Sequence, residues 1–417
     1  MSATPDSPDL PAGPLAGLRV LDMTRVIAGP LAGQILGDLG ADVIKIERRG
    51  EGDDIRRIAP PWLKDENGQD RDESTYSQAV NRNKRSLTVD YAHPAGAALL
   101  RELALKADVL VENFRTGTLA KYGLGYEDLK AIHPRLIYCS LTGFGQTGPY
   151  AQRSGYDYLV QAMAGVMSVT GARDGEPGAG PTRIGVPIAD TTAGLFATIG
   201  VLAALQRRQV SGVGQQVDVS LFESQIATLM NAWSAWFNGG VELGRTGNDH
   251  PSAAPYGVYP VDDGFLLVAT FNDREFGRLA AAVGHPEWAQ DPRYAKNASR
   301  VANRAELAAL LTQALAGRSK AEWVAHLNAA TVSCGPINGM ADLERDPHVV
   351  ARGTVVPMQH PVNGRIRTAA SPLRMSESPV SYRIAPPRIG EHTDEVLYDW
   401  LGLDEAGRAA LRQQGAI

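Results

Sequence analysis

Between residues 17 and 150 the chain alternates short apolar runs with stretches whose apolar positions recur every three or four residues. LRVLDM (18–23) is the first run, followed by a helical spacing through Leu31, Ile35, Leu36 and Leu39; DVIKIE (42–47) is the second run. SLTVDY (86–91) precedes a helix predicted from about Pro94 to Lys106. ADVLVENF (107–114), a helical stretch around Tyr126–Ile132 and RLIYCSLTGFG (135–145) complete the series. Runs apolar at nearly every position suit strands buried on both faces, and strands separated by helices pair in parallel. The pattern predicts an α/β domain, a parallel sheet with helices on its faces.

Farther along, PIADTTAGLFATIG (187–200) sets Asp190 in front of a long apolar stretch. Asp is a favoured N-cap, and Thr191–Arg208 reads as a helix with Leu195, Ile199, Leu202 and Leu205 three or four apart. VSGVGQQVDVSL (210–221) combines a turn with a period-two strand and leads into helical ESQIATLMNAWSAW (223–236). Residues 240–263 are irregular and rich in Gly, Pro, Asn and Asp. A smaller unit follows, with a strand FLLVAT (265–270) and helices near 273–283, 304–316 and 320–328. CGPINGM (334–340) reads as a turn, HPVNGRI (360–366) as an Asn-Gly hairpin, and a last helix lies around Asp394–Leu401. The expected plan is a large domain begun by residues 1–225, a linker over 226–262, a small α+β domain over 263–330, and a return through 331–417 that completes the large domain.

Composition narrows the class. The 417 residues carry 41 Lys and Arg against 46 Asp and Glu, a net charge of −5 with both signs mixed, so there is no basic nucleic-acid footprint. Cys139 and Cys334 belong to no CxxC pair, which suggests a reducing compartment and no structural zinc. The start, MSATPDSPDLPAGPLAG, lacks the basic and apolar regions of a signal peptide, and no uninterrupted apolar stretch reaches membrane-spanning length. A soluble cytoplasmic protein is expected.

Several chemistries fail on their motifs. The turn after the first strand is AGPLAG (28–33) rather than G-x-G-x-x-G, so the dinucleotide cradle is missing. Glu47 ends the second strand, either as a ribose-binding acid or as a surface acid paired with Arg48 or Arg49. No P-loop, G-x-S-x-G elbow or H-E-x-x-H is present. What remains is a polar, basic set: Arg25, Lys45, Arg48, Arg49, Asn81, Asn83, Lys84, Arg85, Asn113 and Lys121. Several of these sit at strand ends, where open α/β sheets bind ligands and where Arg and Lys suit phosphate. They are equally ordinary solvated side chains.

Long blocks then give a resemblance. LAGLRVLDMTRVIAGPLAGQILGDLGADVIKIERRGEGDDIR (15–56), NRNKRSLTVD (81–90), ADVLVENFRTGTLAKYGLGYEDLK (107–130) and RLIYCSLTGFGQTGPY (135–150) resemble the class III CoA-transferases, among them formyl-CoA transferase and the carnitine CoA-transferases. SGYDYLVQAMAG (154–165), PIADTTAG (187–194), GQQVDVSLFES (214–224), CGPINGM (334–340) and GEHTDEVL (390–397) extend it over nearly the whole chain. The resemblance implies a Rossmann-like large domain, a small domain joined by two linkers, and an interlocked homodimer. No tightly bound cofactor or metal is implied; coenzyme A is carried as substrate.

By the same resemblance the nucleophile matches Asp190, with Gly194 completing its motif. Its carboxylate would hold the acyl group as an anhydride and CoA as a thioester. A helix N-terminus would favour the ionised form. The family's CoA contacts match Arg25, Ala28, Arg48, Val89, Asn113, Phe114 and Lys121. The residues of formyl-CoA transferase that match Arg25, Lys121 and Thr142 are His, Arg and Lys, departures that weaken the transfer at Lys121 most. The α-methylacyl-CoA racemases share these blocks but use a His in G-H-D, where this chain has Gly155-Tyr156-Asp157. A tyrosine is a poor proton shuttle near neutrality. An inactive CoA-binding member is the other alternative. QRSGYD (152–157) and CGPIN (334–338) are most similar to the subgroup moving CoA from succinyl-CoA to acids such as glutarate, hydroxymethylglutarate, itaconate or 3-sulfinopropionate. The acceptor's distal acid group would then need a cation, Arg25 or an arginine of a second protomer.

Overall fold

The computed structural model describes residues 13–65, 67–360 and 362–417. The N-terminal dozen residues, part of the stretch read as lacking a signal peptide, lie outside that range. The chain divides into two compact units: residues 13–164, 184–229 and 348–417 on the one hand, 165–183 and 230–347 on the other.

The larger unit is built on six parallel strands, β1 (Arg19–Met23), β2 (Asp42–Glu47), β3 (Lys84–Thr88), β4 (Val109–Glu112), β5 (Ile137–Thr142) and β6 (Gln216–Ser220). Their spatial order is β3-β2-β1-β4-β5-β6. That is the doubly wound Rossmann order, and it reverses direction between β1 and β4. The helices used below are α1 (Ala28–Asp38), α2 (Pro94–Lys106), α3 (Tyr126–Ile132), α4 (Asp157–Met163), α5 (Ile188–Ser211) and α6 (Leu221–Ala227).

Alternation along each strand supplies two cores. Leu21, Met23, Ile44, Ile46, Leu87 and Leu110 face α2, α3 and the helix Thr393–Leu401, burying Leu99, Leu100, Leu129 and Trp400. Val20, Val43, Val109, Val111, Ile137 and Leu141 face α1 and α5. Helix α5 meets that second face with small residues, Ala189, Ala193, Ala197 and Ala204, plus Val201 and Leu205. The apolar stripe read from the sequence splits: Leu205 and Leu202 pack on that core, while Leu195 and Ile199, with Phe196, are exposed. By length and composition α5 could cross a membrane, but its buried face is part of the sheet core.

The basic set is largely internal. Lys45 is fully buried and bonds Asp53 at 2.8 Å, and Lys84, also buried, bonds Asp22 at 2.8 Å and the Pro30 and Asn81 oxygens. Arg85 is engaged with Asp42, Glu395 and Asp399. Asn81 and Asn83 are buried too, bonding Ser77 and Asp38. These residues are therefore not a phosphate-binding surface.

Glu47 fits neither of its two expected roles. It is buried and grips Arg56 through two bonds of 2.7 and 2.8 Å. Burial pushes its carboxyl up, but the bonds and charge of Arg56, with Lys45 and Ser86, outweigh burial and hold it at about 2. A folded-state value below the unfolded one contributes stability above pH 4 to 5, which is lost as pH falls toward 2. Glu47→Gln should cost about 3 kcal/mol at pH 7, since it leaves Arg56 buried without its main partner. Urea unfolding at pH 7 and pH 3 checks this, the gap between variant and wild type narrowing at the lower pH.

In the smaller unit, β7 (Tyr256–Val261), β8 (Gly264–Ala269) and β9 (Ser333–Pro336) form an antiparallel sheet ordered β9-β8-β7. Helices Asp273–Ala282, Arg304–Ala314 and Lys320–Ala329 close a core around Leu266, Phe276, Leu311 and Trp323. Thus Cys334 to Pro336, expected in a turn, is strand, and its main chain pairs with β8. β7 lies in the stretch read as irregular linker, and residues 165–183 join this unit although the sequence pattern gave no sign of it. The helical run at 223–236 breaks after Ala227 and resumes at Met230, where the chain changes unit. The strands expected around the Asn-Gly signal are present, Val355–His360 pairing antiparallel with Gly364–Ala369.

Candidate active site

At the carboxyl ends of β1 and β4, where the strand order reverses, the two chain segments are tied together. The Arg25 N–H donates to Asn113 Oδ1 at 2.9 Å, and Asn113 Nδ2 donates to the Arg25 carbonyl at 2.8 Å. Val26 follows with φ of 70°, an unfavourable conformation for a β-branched residue. Its N–H is held by Asp53, which the buried Lys45 anchors, while Lys45 also bonds the Thr24 carbonyl. The buried Lys45–Asp53 pair thus fixes the loop that opens α1.

A cavity of about 370 Å³ lies over this point. Arg25, Ala28, Asn113, Phe114 and Asp190 all line it. Ala28 starts α1, whose N-cap Ile27 offers no side-chain acceptor. The free N–H groups there suit an anionic oxygen. Arg48 lies in an adjoining crevice shared with Arg25 and Phe114, and it pairs with Glu51 and Asp54. Val89 and Lys121 stand apart. The Val89 side chain is wholly buried in the core, and exposed Lys121 on the turn Leu119–Tyr122 lines neither space.

Asp190 is not the N-cap of its helix. α5 begins at Ile188 with Pro187 as its cap residue, so Asp190 lies inside the first turn. The capping is done by Asp157, from the start of α4. Its Oδ2 accepts the N–H groups of Ala189 at 2.8 Å and of Asp190 at 3.1 Å, and its Oδ1 accepts Gln161 Nε2 at 2.6 Å. Burial first, then the neighbouring Asp157 charge, push the Asp190 carboxyl up to about 7. The helix terminus was expected to favour the ionised form of Asp190; desolvation and a like charge outweigh that effect.

Two glycine contacts place these carboxylates. A Cβ on Gly194 would lie 2.6 Å from the Ala28 carbonyl oxygen, so only glycine lets α5 approach α1 one turn beyond Asp190. Gly143, after β5, and Gly155 touch each other, and a Cβ on either would stand 2.5 Å from the other's Cα. That contact seats the segment carrying Arg153, Tyr156 and Asp157 on the cavity wall. Gly155→Ala should destabilise the fold by about 1–3 kcal/mol and reduce turnover, measured by thermal unfolding and steady-state rates.

A buried Glu112 lies beneath the site, its Oε2 accepting the Phe114 N–H at 2.8 Å; burial raises it to about 7. Asp157 was legible only as part of Gly-Tyr-Asp. Its capping role needed the fold, and Arg115 and Arg153, also on the cavity wall, were missed. Nothing in the local pattern marks either arginine.

The sequence matches the model of CoA-transferase family III over residues 15–393. The chain belongs to that family. A succinate–glutarate CoA-transferase of Agrobacterium fabrum is 42% identical over 92% of this chain and 95% of its own length. A succinyl-CoA:glutarate CoA-transferase of Mus musculus is 40% identical over 97% and 90%. Among solved structures, a CaiB/BaiF family protein of Brucella suis superposes with a TM-score of 0.84 at 42% identity, covering 93% of this chain and all of that one. The protein is an enzyme, a CoA-transferase.

Proposed function

We propose that this transferase moves CoA from succinyl-CoA to a dicarboxylic or similar acid, with Asp190 as nucleophile. The observation that carries it is the Asp190 carboxylate opening onto the same cavity as the Arg25–Asn113 clasp and the α1 N-terminus. The names of the relatives above support the donor and the acceptor class.

In the first half-reaction the Asp190 carboxylate attacks the thioester carbonyl. The C–S bond breaks, giving a mixed aspartyl anhydride and CoA thiolate. The thiolate then attacks the aspartyl carbonyl, forming an aspartyl–CoA thioester and releasing the donor acid. The acceptor carboxylate attacks this thioester, freeing the thiolate again, and the thiolate takes the acceptor's acyl group from the second anhydride, regenerating Asp190. Each tetrahedral step builds negative charge on oxygen, to which the N–H groups at the start of α1 would donate. Arg25, Ala28, Arg48, Asn113 and Phe114 would hold CoA around the cavity and its crevice. Val89 enters this binding through the core beneath, and Lys121 as a peripheral cation for phosphate.

The functional unit is proposed as a homodimer in the cytoplasm. Exposed Leu195, Phe196 and Ile199 on α5, and Met230, Trp236 and Phe237 on the helix Met230–Gly239, support a second copy as their cover. The free cysteines fit a reducing compartment. The test is a panel of free acids incubated with succinyl-CoA and assayed for new acyl-CoA. Transfer to short diacids is expected; no transfer to any acid would contradict the proposal.

A further inference from the structure

Three guanidinium groups line the cavity with Asp190: Arg25, Arg115 and Arg153. They differ in what already neutralises them. Arg25 faces Asp54 at 3.4 Å, and Asp54 also meets Arg48, so that corner is internally balanced. Arg115 donates only to a neutral oxygen, Ser154 Oγ, at 3.0 Å. Arg153 lies 4.5 Å from the Tyr150 ring and 5.4 Å from the Phe144 ring, with the Met163 sulfur 3.8 Å from Nη2. Neither Arg115 nor Arg153 has a carboxylate partner among the described residues.

The acids of the cavity are accounted for in the same way. Asp157 is satisfied by the α5 N–H groups and Gln161, and Asp54 by Arg25 and Arg48. Asp190 must stay free to react. An anionic acid entering such a space needs positive charge that is not already paired, and guanidinium offers carboxylate two parallel bonds. The aromatic platform under Arg153 limits its rotamers, and Ser154 steers Arg115, so both are oriented before a ligand arrives. They come from different strand ends, Arg115 after β4 and Arg153 after β5, and the Arg115–Ser154 bond joins the two segments.

We infer that Arg115 and Arg153 form the subsite for the distal carboxylate of a diacid whose other end reacts at Asp190. This deepens the proposed function and rests on it. It assigns the expected cation to residues of this chain other than Arg25. The subsite makes the enzyme selective for diacids over monoacids of equal length, and it serves donor and acceptor alike.

The experiment compares glutarate with pentanoate as acceptor, succinyl-CoA being the donor, for wild type, Arg115→Met and Arg153→Met. Methionine keeps the unbranched apolar stem. In a double-displacement scheme kcat/KM for the acceptor reports only the half-reaction in which that acid takes part. The wild type should prefer glutarate. Each variant should lower kcat/KM for glutarate roughly 10- to 100-fold, the size expected for hydrogen bonds to a charged group, while pentanoate stays nearly unchanged. Arg153→Lys and Arg115→Lys should restore part of the preference. Equal losses for both acids would overturn the assignment, since they are what arginines holding CoA phosphate or the loop would give. A wild type that serves both acids equally overturns the subsite alone, whereas one that transfers CoA to no acid of the panel overturns the proposed function with it.

Discussion

Asp190→Asn should reduce CoA transfer by at least about a thousandfold while leaving the fold intact. The size follows from removing the group that forms both covalent intermediates, for which binding and oxyanion contacts are a poor substitute. Asparagine is nearly isosteric, and the Asp190 N–H that bonds Asp157 belongs to the backbone, so the cap on α5 survives the change. Losing the Asp190 charge also removes the repulsion from Asp157 that raises its carboxyl. The variant should therefore melt no lower than wild type. Steady-state transfer rates beside a thermal unfolding curve separate chemistry from folding, and retention of full activity would remove Asp190 from the mechanism.

The second large effect is on pH. The nucleophile must be ionised, and Asp190 is held near 7 by burial and then by Asp157. For the free enzyme kcat/KM should fall about tenfold for each unit below that value. Glu112 titrates in the same range, so the acid limb needs an assignment. Asp157→Asn supplies it. It removes the like charge beside Asp190 and should move the limb to lower pH, while Glu112, whose shift comes mainly from burial, stays put. Asparagine still presents one oxygen to the N–H groups of α5, but its amide meets the Gln161 amide donor, so some stability is lost. A purely structural role for Asp157 would lower the plateau without moving the limb.

The fold was legible wherever one period ran clean. β2 has the limits read from the sequence, and α2 and α3 lie where they were expected, because each has an unbroken apolar rhythm between polar turns. It failed where partners outside the segment decide. Gly335 and Pro336 look like a turn, yet the open edge of β8 makes them strand. Of the large apolar residues on α5, Leu202 and Leu205 reach the core, but nearer the helix start the close approach to α1 selects alanines and leaves Leu195 and Ile199 exposed. Lys45 and Lys84 read as ligand-binding cations because a sequence does not show that Asp53 and Asp22 wait beside them in the core.

At the site, the blocks around Asp190, Arg25, Ala28, Asn113 and Phe114 named residues that the fold brings to one cavity. The electrostatics were not legible. Whether Asp190 is a cap or a capped residue depends on Asp157, more than thirty positions earlier, and so does the direction of its titration. Arg115 and Arg153 stand out only once it is known that neither pairs with a carboxylate among the described residues.

The central claim is covalent catalysis by Asp190, and it is tested most directly by trapping. The enzyme is mixed with succinyl-CoA without acceptor, quenched in acid and digested, and the peptides are weighed. The mechanism predicts CoA in thioester linkage on the peptide carrying Asp190, lost when glutarate is added before the quench and absent from Asp190→Asn. An unmodified Asp190 peptide from an enzyme actively transferring CoA, or an adduct on another residue, would contradict it.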